Sequence, residues 1–190
     1  MGMRLFFAVP APPAVRDALG AWAHEMRRRA PGWRWVDPSL VHLTLRFLGD
    51  TDPARVEPIA ASVREIAGRV PRHAVQVRGW GVFPSPSRPR VLWVGLAGEL
   101  APLAGLAGEV EAAARALGFA PEERAFRAHL TLARAARDAP PRPPGPPDPE
   151  RPDFGPMPVD EVVLYRSHLG PAGPTYEPLA RLPLGRGGVS

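Results

Sequence analysis

Polar and apolar residues alternate from Val41 to Phe47 in Val41-His42-Leu43-Thr44-Leu45-Arg46-Phe47-Leu48, the period-2 signature of a half-buried strand. The same pattern returns at Ala128-His129-Leu130-Thr131-Leu132-Ala133-Arg134. In each copy His and Thr fall on one face and the leucines on the other. The two His strands read as 40–48 and 127–134, and other segments read as strands too: 4–9, 73–82, 90–96, 160–166 and 176–184. Helical periodicity marks three further segments. Val15, Leu19, Trp22 and Met26 stripe the first, with Arg27, Arg28 and Arg29 in a last turn where they complement the helix dipole. Val56, Ile59, Val63 and Ile66 stripe the second, which Pro58 is expected to start late. Leu103, Leu106, Val110 and Leu117 stripe the third, and Gly118 ends it.

The order strand, helix, His strand occurs twice, and the two copies keep register. The offset is 86 residues at the first strand (Arg4 to Arg90) and 87 at the histidines (His42 to His129). This reads as an internal duplication. Residues 139–158 break it: ten prolines there exclude a regular helix interior, and the segment reads as a surface loop at the rim. The expected fold is α+β, one bilobal domain over residues 1–190 with repeat units of about 4–89 and 90–184. Two pseudo-symmetric lobes of antiparallel sheet with outer helices should each present one His strand to a central cleft.

Composition narrows the chemistry. With 190 residues and 45% hydrophobic content the chain can build a core unaided. It has no Cys, which excludes disulfides and thiolate metal sites. All 24 basic residues are Arg, so a Walker lysine, a Schiff base and an adenylylated lysine are excluded. The net charge of +5 suits phosphate, although Arg written for Lys in a GC-rich genome accounts for most of the bias. No apolar run approaches the roughly 18 residues of a membrane span, and no leader pattern opens the chain, so a cytoplasmic protein without membrane association is expected.

A His and a Thr two residues apart on a strand stand about 7 Å apart on one side, at roughly 3.3 Å per residue. Paired in two copies, they supply two proton-transfer groups and two hydroxyl donors. Imidazole gives or takes a proton near neutral pH, which is what opening a phosphodiester requires at its two apical oxygens. The remaining candidates are neighbours. Arg134 stands five residues after His129, where strict alternation would turn it to the leucine face unless a bulge intervenes. Phe47 holds the matching place after His42 and suits either base stacking or core packing. Arg46 falls on the His face by parity. Trp33, Trp35, Trp80 and Trp93 are core residues or a stacking platform. His24, His73 and His168 have no motif around them, and no metal-ligand spacing is present.

These residues carry a family resemblance. Residues 4–8, His42 to Gly49, Val82-Phe83-Pro84, 90–96, 128–134 and Leu164-Tyr165-Arg166-Ser167 together resemble the two-histidine (2H) phosphoesterases. Among them, the bacterial and archaeal RNA 2′,3′-cyclic phosphodiesterases, historically called 2′-5′ RNA ligases, are most similar. The resemblance implies a monomeric, metal- and cofactor-independent enzyme acting on RNA or small nucleotides with 2′,3′-cyclic phosphate ends. It implies His42 as proton donor, His129 as proton acceptor, Thr44 and Thr131 as phosphate donors, and Arg134 as a phosphate contact. ATP-independent reverse ligation belongs to the same expectation. The alternative is a nucleotide- or RNA-binding module of the same fold without turnover.

Overall fold

The structure, a computed structural model, describes residues 2–136, 152–171 and 173–185. Nine strands form one antiparallel sheet: β1 (Met3–Pro10), β2 (Trp33–Trp35), β3 (His42–Thr51), β4 (His73–Phe83), β5 (Val91–Ala97), β6 (His129–Ala135), β7 (Asp153–Val159), β8 (Glu161–Gly170) and β9 (Gly173–Pro183). Their order is β7-β4-β5-β6-β3-β1-β8-β9, with β2 added to β6. The three striped segments are helices α1 (Pro13–Arg29), α2 (Val56–Arg69) and α3 (Ala101–Ala116). The fold is α+β with two repeated halves, and the halves interlock. β4 follows α2 in the first half yet pairs with β5 of the second; β8 belongs to the second half yet pairs with β1 of the first.

The helices share one face of the sheet. α1 packs on β7, while α2 and α3 pack on each other and on β9, β8 and β3. Val15, Leu19, Ala23 and Met26 of α1 are buried, and Trp22 meets Trp80 and Phe154 with centroids 6.2 and 5.8 Å apart. Leu5, Phe7, Val9, Leu43 and Leu130 join the helix stripes in one apolar cluster. The opposite face holds His42 and His129. No helix among the described residues is long and apolar enough to cross a membrane.

Several local expectations change. The first His strand begins at His42 rather than residue 40, because Asp37 accepts from the Ser39 N–H at 2.8 Å and holds 38–40 in a 3₁₀ turn. Pro58 does not delay α2: it sits in the first turn, where its missing N–H is one the helix leaves unbonded anyway. Part of the proline-rich segment is strand, since β7 occupies 153–159, with Phe154, Met157 and Val159 buried. Pro156 and Pro158 are tolerated there because β7 is an edge strand. Residues 137–151 of that segment lie outside the described residues. The strand expected to end at residue 166 runs on, since β8 continues to Gly170 and pairs with β9 along its length.

Arg46 corrects the parity argument. On β1, Ala8 pairs with Thr44 but the next residue, Phe7, pairs with Arg46, so β3 bulges at Leu45. The bulge turns Arg46 away from the His face and toward α3. It is 7% exposed, ion-paired to Glu111, donates to the carbonyls of Phe47 and Ala120, and stands 3.7 Å from Glu122. Arg46 is thus a tie between β3 and the chain after α3, not a ligand contact.

Removing Arg46 strands the Glu111 carboxylate. Breaking a fully buried pair costs about 3–5 kcal/mol, and the 25% exposure of Glu111 reduces that. Arg46→Ala should therefore lower stability by about 2 kcal/mol, read as a lower urea midpoint at unchanged slope. A midpoint equal to the wild type would refute the tie.

Candidate active site

The two His strands meet at the centre of the sheet through one pair, Leu43 with Leu130. Antiparallel register then sets His42 opposite Thr131 and Thr44 opposite His129, all four on the face away from the leucines. The two imidazoles occupy a diagonal, for which Cα atoms lie about 7–8 Å apart. Such a spacing leaves room for one tetrahedral group between ring tips. His42, Thr44, His129 and Thr131 are all half-buried, whereas Leu43 and Leu130 are fully buried.

Each strand bulges just beyond the motif. Trp93 pairs with Thr131 but its neighbour Leu92 pairs with Ala133, so β6 repeats the irregularity of β3. The bulge supplies what strict alternation denied Arg134: it reaches the His face, exposed, and its charge acts on both imidazoles and on Tyr176. The same shift brings Phe47 to that face, 49% exposed and 5.7 Å from Phe6. Of the seven candidates, six are therefore brought together and Arg46 is not.

Both histidines are held alike. His42 Nδ1 donates to the Leu40 carbonyl at 2.7 Å and His129 Nδ1 to the Arg127 carbonyl at 2.6 Å. A carbonyl can only accept, so Nδ1 carries the hydrogen and Nε2 is the free nitrogen in each ring. Burial holds both pKa values below the ordinary histidine value; the carbonyl bond opposes it, and the Arg134 cation adds to it. His129 lowers His42 further. Two neutral imidazoles with free Nε2 atoms can accept a proton, and an anion between them would favour protonation of either.

Aromatic residues from distant strands frame the pair, and local sequence patterns did not reveal them. Phe6 and Tyr176 flank His42 at 5.0 and 5.3 Å, and Tyr165 packs on Phe6 at 5.4 Å. Phe83 meets His129 edge-on at 5.2 Å, with Trp93 behind it at 5.1 Å. The usable signal was cross-strand: each is on a strand within three steps of a His strand in the sheet. Burial raises the pKa values of both tyrosines, so their hydroxyls remain donors at neutral pH.

The other histidines stand apart. His24 is exposed on α1, His73 bonds the Pro71 carbonyl at 3.0 Å, and His168 pairs with Glu177 at 2.8 Å. Trp22, Trp35 and Trp80 pack together beneath the sheet, and Trp33 is buried. Among the described residues, no three His, Asp or Glu side chains gather in a manner that would hold a metal ion.

Comparisons with known proteins match this geometry. The RNA 2′,3′-cyclic phosphodiesterase of Thermus thermophilus is 36% identical over 191 residues, covering 96% of this chain and 90% of the relative. That of Archaeoglobus fulgidus is 32% identical over 177 residues, covering 93% and 98%. The crystal structure of TT0787 of Thermus thermophilus superposes with a TM-score of 0.79 at 33% identity, over 97% of this chain and 99% of that one. LigT of E. coli complexed with 3′-AMP gives 0.77 at 27% identity, over 96% and 98%. The sequence model of the family described as LigT like Phosphoesterase matches twice, at residues 9–93 and 94–176, one match for each histidine strand. By both of its halves, then, the chain belongs to the LigT-like phosphoesterase family and is a phosphoesterase.

Proposed function

We propose that the protein opens terminal 2′,3′-cyclic phosphates of RNA to 2′-phosphates by general acid-base catalysis between its two histidines, without a metal ion. The observation that carries the reading is the matched pair: two imidazoles on one face, each anchored through Nδ1, with Arg134 between them electrostatically. The curated relatives named RNA 2′,3′-cyclic phosphodiesterase support the substrate class.

The cyclic phosphate sits with its phosphorus between the two Nε2 atoms. His129 takes a proton from water as the water oxygen bonds to phosphorus. The bond from phosphorus to O3′ breaks on the opposite side, and His42 gives its proton to that oxygen. Thr44 and Thr131 donate to the non-bridging oxygens, and Arg134 stabilises the charge that builds there. Phe47 offers a stacking face, worth roughly 1–3 kcal/mol per base where it is used. In ligation a 5′-hydroxyl replaces water: it gives its proton to His129 as its oxygen bonds to phosphorus, the bond from phosphorus to O3′ breaks as His42 protonates that oxygen, and a 2′-5′ linkage is left with no ATP. A binding module without turnover would have no use for two opposed proton-transfer groups.

His42→Ala and His129→Ala should each lower kcat by about 10²–10⁴, and the double variant should be little worse than either, because the two act as a unit. Substrates with a nitrophenolate leaving group need no protonation and should rescue the His42 variant alone. Equal rescue of both would reverse or remove the acid and base assignment.

The rate should follow a bell in pH with its kcat/KM optimum below the ordinary histidine pKa of about 6.5, since burial and Arg134 disfavour protonation of the free enzyme. Arg134→Gln removes one of the charges that lower both pKa values, so its kcat/KM profile should move to higher pH as the rate drops. An unmoved profile would detach Arg134 from the histidines. Hydrolysis should also persist in excess EDTA; loss restored by a divalent ion would refute the metal-independent mechanism.

A further inference from the structure

The two halves match around the histidines but differ in what faces each threonine. Thr131 has Trp93 across the strand pair, and Thr44 has Ala8. Trp93 lies over Gly81, where any Cβ would overlap its indole ring, and Phe83 packs against it. The reactive face of the second half is thereby filled with aromatic side chains. In the first half a methyl stands where the indole would be. A groove of about 480 Å³ lies beside His42 in this half and runs across β1 and β8 to Arg181 on β9.

The groove is built from two kinds of surface. Its walls mix apolar and polar surface, from Pro10 and Pro12 on one side to Pro158 and Pro178 on the other, with Tyr165 and Tyr176 half-buried between them. Neither tyrosine hydroxyl has a hydrogen-bond partner among the described residues. Four charges line it. Arg181 is held by Glu161 at 2.5 Å, and Asp160 lies beside them. Arg16 has no carboxylate partner among the described residues; its one contact is a long bond to the Ser39 carbonyl at 3.4 Å. The groove is therefore no general anion trap: it offers flat apolar surface, a few acceptors and one uncommitted cation. A cleft of this size and character fits a nucleoside.

The in-line geometry of phosphoryl transfer says which side the nucleoside takes. Attacking and leaving oxygens lie on opposite sides of phosphorus. On the reading that His129 activates water and His42 protonates O3′, the ribose lies on the His42 side, where the groove is. We propose that this groove binds the nucleoside carrying the cyclic phosphate, and that Arg16 contacts the 5′-phosphate joining it to the rest of the strand. Arg16 Nη1 stands 3.4 Å from the carbonyl of Ser39, three residues before His42, and at most roughly 10 Å of chain separates that residue from the histidine, which keeps imidazole and guanidinium within one nucleotide of each other. The protein is then an enzyme of RNA ends, with cyclic mononucleotides as poorer substrates. This rests on the phosphodiesterase reading and adds the 5′ contact to it.

The test compares adenosine 2′,3′-cyclic phosphate bearing a 5′-hydroxyl with the same compound bearing a 5′-phosphate, and with a cyclic-ended dinucleotide. Wild-type kcat/KM should be about tenfold higher for both phosphate-bearing substrates, the size of one charge-assisted contact, mainly through KM. In Arg16→Ala that ratio should fall to about one, and Arg16→Lys should keep part of it. A wild-type ratio of one overturns the proposal without needing any variant to fold, and so does a ratio that survives in Arg16→Ala. If only the dinucleotide gained, the contact would lie with the preceding nucleoside and Arg16 would lose its assignment. Turnover of none of the three would overturn the phosphodiesterase reading and this proposal with it.

Discussion

Register at one cross-strand pair governs the site. Leu43 and Leu130 are the sole residues through which β3 and β6 pair, and both are fully buried. Because side chains alternate with period 2, that buried pair decides that His42, Thr44, His129 and Thr131 share the open face. A slip by one residue would bury the histidines and expose the leucines, so the hydrophobic effect that fixes the core also aims the proton-transfer groups. The bulges beyond each motif complete the arrangement. They reset the parity after two turns of alternation, sending Arg46 and Ala133 to the core and Phe47 and Arg134 to the reactive face.

The duplication repeats the sheet pairing around the histidines and is unequal in content. Equivalent positions hold Phe47 and Arg134, Ala8 and Trp93, Arg46 and Ala133. Backbone pairing is repeated because it holds the sheet; side chains diverge because a nucleotide has no two-fold symmetry. One half contributes an open groove and an aromatic face, the other a cation and a filled wall. Histidines held by the same backbone bond can thus meet opposite ends of one reaction.

Much of this was legible in the sequence because it depends on local periodicity. The helix stripes, the paired His-Leu-Thr-Leu strands and the repeat order all follow from spacing along the chain. What was not legible depends on partners. A bulge is a relation between two strands, so neither the rescue of Arg134 nor the burial of Arg46 could be read from β6 or β3 alone. β7 was hidden because prolines argue against a strand unless its outer edge is free, and edge position is a property of the whole sheet. Tyr176 on β9 reaches His42, and Tyr165 on β8 reaches Phe6 beside it, from more than a hundred residues along the chain, and no local spacing marks either as a neighbour of that histidine.

The exchange of β4 and β8 between halves sets the order in which the molecule can assemble. β1 is central, hydrogen-bonded to β3 on one side and to β8 on the other, yet β8 lies some 150 residues further along. Until β8 arrives, an apolar run from Leu5 to Val9 presents an unpaired edge, the kind of template along which chains associate wrongly. Contacts of such long range close slowly, since the loop entropy must be met before they form. A duplicated protein of this design is therefore not two modules joined in series. Its first half waits on its second during synthesis, and a chain cut between the repeats leaves each piece with a strand that belongs to the other.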